Sequence, residues 1–244
     1  MAFLNTYFDE IESRVAFVRK QQAEIEEAAQ LLFETEKQGK KIYTFGTGHS
    51  HMIGQDLYAR AGGYAKIYPI CEIEMTLATH PIKSTTLERT SAYADVLDTL
   101  YTIEEGDVLI VTSNSGRNAL LIEYVLRAKK RGAKIIAITS LAHSKTIASR
   151  HESKLRLFEL ADVVLDNCAP YGDATTPIKD DVCMGPVSTI TGCYLSQSIV
   201  GRFVELLMEH GMEAPVFVSS NADGADERNR ELFNKYVIPS IQNK

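Results

Sequence analysis

Residues 111–118 read VTSNSGRN and lie between the aliphatic run DVLIV and the amphipathic stretch ALLIEYVLRAKKRG. Thr112, Ser113 and Ser115 carry hydroxyls, and Gly116 and Arg117 follow at once. The aliphatic run reads as a buried strand, and the stretch after the knot has the three- and four-residue spacing of a helix face. A strand that passes directly into a helix makes an anion site, because the first N–H groups of the helix lack partners and its dipole is positive there. Serine hydroxyls add donors, and glycine lets the backbone approach a ligand closely. The loop is therefore expected to hold phosphate through Ser113, Asn114, Ser115, Gly116 and Asn118. Capping of the helix by Ser115 or Asn118 is the simpler alternative, but it explains one polar residue and not S-N-S-G-R-N in sequence.

Outward from this loop the pattern repeats. KIYTF (41–45), AKIYPI (65–70), DVLIVTS (107–113), KIIAITS (134–140) and ADVVLDN (161–167) read as strands. Helical stretches lie between most of them, including 119–131, ended by Gly132, and a short one in HSKTIASRHESK. Strands alternating with helices predict an α/β fold, a three-layer doubly wound sheet of about five parallel strands covered on both faces. Residues 3–38 contain no glycine or proline, and the stripe from Leu4 to Phe33 predicts one long N-terminal helix, interrupted in spacing only at Gln22. Such a stripe is expected to pack on a second copy of the chain, with wrapping of its own domain as the alternative. A second long helix follows residue 187, with no charge between Val187 and Gly201, and is expected to be buried in the core or in an oligomer interface. Residues 168–186 show no period and are expected to form a functional loop. The domain reading is a helical extension over 1–38 and a ligand-binding domain over 39–244.

Composition narrows the function. A formal net charge of -6 gives no basic surface for nucleic acid. Cys71, Cys168, Cys183 and Cys193 form no CxxC pair and no zinc spacing with histidine, so a reduced, cytoplasmic setting without metal is expected. No apolar run approaches the ~18 residues of a membrane span, and the N-terminus alternates apolar and acidic residues unlike a signal peptide.

The first loop, GTGHS (46–50), repeats the strand-to-helix arrangement with Gly48, His49 and Ser50. It is not a Walker loop, since G-K-[ST] is absent, and a dinucleotide fingerprint would need its third glycine at His51. Two hydroxyl-rich loops at the C-terminal ends of parallel strands suit a small phosphorylated ligand, with no cofactor required. On these motifs, Ser113-Asn114-Ser115-Gly116 and GTGHSHMIG, the chain over about residues 35–205 resembles the sugar isomerase (SIS) domain family. The resemblance implies phosphosugar binding, similar to arabinose phosphate and phosphoheptose isomerases. It does not fix the reaction, since the domain also serves phosphosugar etherases, synthases and sensors. His49 and Arg117 stand where arabinose phosphate isomerases have Lys and Glu, and the Ser-Gly-Arg of the second loop resembles the etherases.

Isomerisation needs a group that removes a proton beside a carbonyl and returns it one carbon away. The segment from 72 to 98 runs back over the crevice and offers Glu72, Glu74, His80 and Glu88. The resemblance to the etherases implies an acid/base glutamate in this stretch and makes Glu88 the first candidate, followed by His49, then Glu74 and His80, against the reading of each as a solvated side chain. Ser188 and Thr189, at the start of the last long helix, are expected to complete the pocket; Asp173 or Asp180-Asp181 could touch sugar hydroxyls. The function expected is an aldose–ketose isomerase of a sugar phosphate, working as a homodimer or higher homo-oligomer. The alternatives are a phosphosugar etherase or lyase, or a sensor without turnover.

Overall fold

The computed structural model describes residues 2–242. The five aliphatic runs become β1 (Ile42–Gly46), β2 (Ile67–Ile70), β3 (Val108–Thr112), β4 (Lys134–Thr139) and β5 (Val163–Asp166). All pair in parallel in the order β2-β1-β3-β4-β5. β3 is central and buried at every position, which explains its unbroken aliphatic run. Alternate residues feed opposite layers. Val108 and Ile110 join a core with α2 (Gln22–Lys37), α3 (His51–Asp56) and α9 (Ser188–Glu209), whereas Leu109 and Val111 face α5 (Tyr93–Leu100), α6 (Ala119–Lys130) and α8 (Leu157–Leu160).

The sheet order changes direction between β1 and β3, so the crevice beyond their C-terminal ends is a topological switch point. The first and second hydroxyl-rich loops leave the sheet there. α4 (Pro81–Glu88) passes over the same end of the sheet, with the last residue of the helix facing the two loops. α7 (Leu141–Ser144), α10 (Ala225–Leu232) and α11 (Ile238–Gln242) complete the helices.

Three expectations are corrected. The N-terminal stripe forms two helices, α1 (Ala2–Val18) and α2, not one. The break at 19–21 is held by Gln21, whose side chain donates to Asp166 O at 2.7 Å and accepts from Asp166 N at 2.8 Å, occupying backbone groups of the edge strand β5. Ala28, Ala29, Leu32 and Phe33 of α2 are buried in the chain's own core, so that half wraps its own domain, while Leu4 and Phe8 of α1 remain exposed. Next, the segment 168–186 is not structureless, because it contains the antiparallel hairpin β6 (Ala174–Lys179) and β7 (Val182–Pro186). Finally, the stretch 143–154 is largely non-helical. Bonds from His151 N to Ser149 Oγ, Ser153 N to His151 Nδ1 and Leu155 N to Ser153 Oγ give its backbone local partners that compete with helix.

α3 lies close on β1 through Gly54, where an added Cβ would stand 2.5 Å from Thr44 Oγ1. The close packing that a dinucleotide fold obtains from its third glycine is thus provided here three residues beyond His51. Gly54→Ala is expected to destabilise the protein by about 1–3 kcal/mol by overpacking this contact. Chemical denaturation would show a lower midpoint with an unchanged slope.

Candidate functional site at the β1 and β3 loops

The second loop is shaped by its outer neighbours. The carbonyls of Ser115, Gly116 and Arg117 accept from Ser144 Oγ (3.0 Å), Leu157 N (2.8 Å) and Arg150 N (2.8 Å). In trans peptides the N–H points opposite the preceding carbonyl, so the N–H groups of Arg117 and Asn118 face away from that anchoring segment. Gly116 adopts φ +55°, and a Cβ there would stand 2.9 Å from Leu157 Cβ; both facts favour glycine. Ser113 Oγ accepts from Gly116 N at 3.1 Å and so braces the turn. Asn118 occupies the N-cap position of α6, but its side chain makes no cap bond. Simple capping therefore does not explain the loop, and the helix start is left without a side-chain cap.

In the first loop, Gly46 approaches the turn that follows so closely that a Cβ would meet Ser50 C at 2.8 Å. Gly48 takes φ +57° and opens a short 3-10 turn over Gly48–Ser50 that runs into α3. This turn places His49 and Ser50 on a cavity of about 480 Å³ together with Asn114, Ser188 and Thr189. Five of the residues singled out in the sequence thus share one wall system. The β6–β7 hairpin closes its side through Cys183–Pro186. A larger cavity of about 870 Å³ runs along the open edge of β2 and contains no residue of either loop.

Asp173 also borders the smaller cavity, with a role the sequence did not indicate. Its Oδ1 accepts from Val187 N (3.1 Å) and Ser188 N (2.8 Å), and its Oδ2 accepts from Ser188 Oγ (2.7 Å). A carboxylate therefore already sits at the positive end of α9 and engages the Ser188 hydroxyl. Asp180 and Asp181 lie at the exposed hairpin turn.

Glu88 stands between the two loops. Its Oε2 accepts from Thr47 Oγ1 at 3.1 Å and its Oε1 from Asn118 Nδ2 at 2.9 Å. Asn118 Oδ1 in turn accepts from Arg150 Nη1 at 2.7 Å. Burial pushes the Glu88 carboxyl above its ordinary value, although these hydrogen bonds and the nearby charges of Arg89 and Arg150 pull the other way. Glu88 does not itself line the 480 Å³ cavity; it lies behind Thr47, the neighbour of Gly48.

Glu74 and His80 are not drawn into this cluster. Glu74 lies 4.0 Å from Lys83 at the surface, and His80 is exposed just before α4. Sequence reasoning missed Thr47, Arg150 and Asn167. Thr47 sat in plain view inside GTGHS, whereas nothing local marked Arg150. Arg117 adds a guanidinium whose buried Nε has no partner among the described residues. Together with Arg89 and Arg150 it makes the neighbourhood of Glu88 cationic, which suits an anionic ligand. Burial, and then the Arg117 charge, lower the affinity of His143 for a proton. Among the described residues, no three or more His, Cys, Asp or Glu gather to hold a metal ion, and no helix is long and apolar enough to cross a membrane.

Comparison with known proteins agrees with this fold. A UPF0309 protein of Halalkalibacterium halodurans is 42% identical over 95% of this chain and 95% of its own length. A second UPF0309 protein, from Oceanobacillus iheyensis, is 39% identical over 97% of each chain. The solved phosphoheptose isomerase of Neisseria gonorrhoeae superposes with a TM-score of 0.54 at 19% identity, covering 83% of this chain and 97% of that one. The phosphoheptose isomerase of Francisella tularensis gives a TM-score of 0.52 at 16% identity over 82% and 95%. At such identities the likeness is one of fold. The SIS domain profile matches residues 6–140, more than half of the sequence and inclusive of both loops, so the chain belongs to the SIS domain family.

Proposed function

We propose that this protein binds a sugar monophosphate across the loops 47–50 and 113–118 and interconverts its aldose and ketose forms. The observation that carries the proposal is Glu88, a carboxyl held between both loops with a raised affinity for protons. Phosphate rests on Ser50, Ser115 and the N–H groups at the start of α6, with Arg117 balancing its charge. Glu88 takes the proton from the carbon beside the carbonyl and returns it to the former carbonyl carbon. His49, on the cavity wall, moves the second proton between the two oxygens, so the enediol forms and collapses without net gain or loss of protons. The shared fold of the two phosphoheptose isomerases supports phosphosugar chemistry.

We also propose a homo-oligomer built on α1 and the hairpin. Tyr7 Oη donates to Pro186 O at 2.9 Å, so α1, with its exposed Leu4 and Phe8, is tied to the hairpin that carries the exposed Val182 and Met184.

The test is a screen of pentose, hexose and heptose monophosphates for thermal stabilisation, followed by incubation of the best ligand in deuterated water. A ligand present at ~100 times its dissociation constant adds about 2.7 kcal/mol to stability. An isomerase yields the isomer, with deuterium beside the carbonyl unless transfer is internal. An elimination product would replace this reading with a lyase, and binding without conversion would replace it with a sensor.

A further inference from the structure

The orientation of the Asn114 amide follows from a backbone N–H that cannot change roles. Ala169 N donates at 3.0 Å to the side chain of Asn167, which is fully buried, so the atom facing Ala169 is Asn167 Oδ1. Asn167 must then present its NH2 on the other side, where it donates to Asn114 Oδ1 at 2.6 Å. Asn114 borders the 480 Å³ cavity, and no described residue accepts from its Nδ2. The segment carrying Asn167 is itself fixed. Asn167 N donates to Thr139 O (2.9 Å), Ser140 Oγ donates to Ala169 O (2.6 Å), and Cys168 is held at φ +58°. A non-glycine residue in that region is sparsely populated and persists where its surroundings impose it.

We propose that Asn167 is a positioning residue that locks Asn114 with its NH2 toward the cavity, so that the ligand must offer a hydrogen-bond acceptor there. On a sugar phosphate the acceptor is a carbonyl or hydroxyl oxygen, or a phosphate oxygen. This step rests on the sugar-phosphate reading for the identity of the ligand, but not for the orientation of the amide.

Two measurements test it. In nitrogen-labelled wild-type protein, the side-chain amide protons of Asn167 should exchange slowly with solvent and those of Asn114 rapidly. Protection at Asn114, or rapid exchange at Asn167, would overturn the orientation whether or not any variant folds. The second measurement compares N167D with wild type at matched pH, using the sugar monophosphate that binds wild type most tightly, with inorganic phosphate as control. When the new carboxyl is ionised it can only accept; Asn114 must turn its NH2 inward, and affinity should fall about tenfold or more. When it is protonated it again donates to Asn114, and the two proteins should converge. A purely structural role would lower affinity equally at every pH, and that outcome, or no loss at all, would overturn the donor role. If neither phosphate nor any sugar phosphate binds wild type, the ligand reading falls, and the exchange measurement alone decides the orientation.

Discussion

Glu88→Gln lowers turnover by about 100- to 10,000-fold and leaves ground-state binding of the sugar phosphate nearly unchanged. Glutamine keeps the size of the side chain and can still accept from Thr47 or Asn118, so both loops retain a neighbour of the same shape. What it loses is the ability to take a proton from carbon. The effect should therefore fall on kcat, with KM little altered, because the interaction removed acts at the transition state. Unimpaired turnover in Glu88→Gln would remove Glu88 from the mechanism and transfer the role to His49.

Stability should report the same group. The Glu88 carboxyl is raised in the folded protein, mainly by burial, so the folded state holds its proton more tightly than the unfolded chain. Its contribution is fully present below the unfolded carboxylate value and is withdrawn as pH rises through the raised folded value. In that window wild type should lose stability with rising pH, and Glu88→Gln, which cannot ionise, should show a flatter profile. Urea denaturation across the window measures both slopes.

Much of this architecture was legible because its signals are local. The β3 run is aliphatic from Val108 to Val111 since both of its faces are covered, and Gly116 marks a turn in which a side chain would be strained. The glycines of the first loop are likewise explained locally, Gly46 by its approach to Ser50 and Gly48 by its φ of +57°. What escaped depends on partners distant in the chain. The break between α1 and α2 has neither glycine nor proline, and it exists because Gln21 meets Asp166, 145 positions away. The β6–β7 hairpin hides its strands behind Pro177 and a register shift beside it, features tolerated only in a short edge pair. Arg150 reaches Asn118 from a stretch that reads as a short helix but folds largely without one, and Asn167 touches Asn114 across 53 positions. Asp173 looked like a loop carboxylate free to meet sugar hydroxyls; only the fold brings the start of α9 to it.

Ser115→Asp should weaken sugar-phosphate binding by at least about three orders of magnitude while the fold persists. The residue lies on the loop whose carbonyls are held outward by Ser144, Leu157 and Arg150, and its own side chain bonds to no described residue. A carboxylate there stands against the dianion that the loop is proposed to hold. At an effective dielectric of about 20 and a separation of about 5 Å, repulsion between one and two charges amounts to several kcal/mol, which is the affinity loss stated. Arg117 offsets part of it but cannot restore a donor. Ser115→Ala separates the two contributions, because it deletes a neutral donor without adding charge and should cost only about 0.5–1.5 kcal/mol. Calorimetric titration with the best ligand measures both variants, and thermal unfolding without ligand shows whether each is folded. If the Asp variant binds as wild type does, phosphate is not held at this loop. If the Ala and Asp variants lose affinity equally, the loop contributes a hydrogen bond but does not face the phosphate charge.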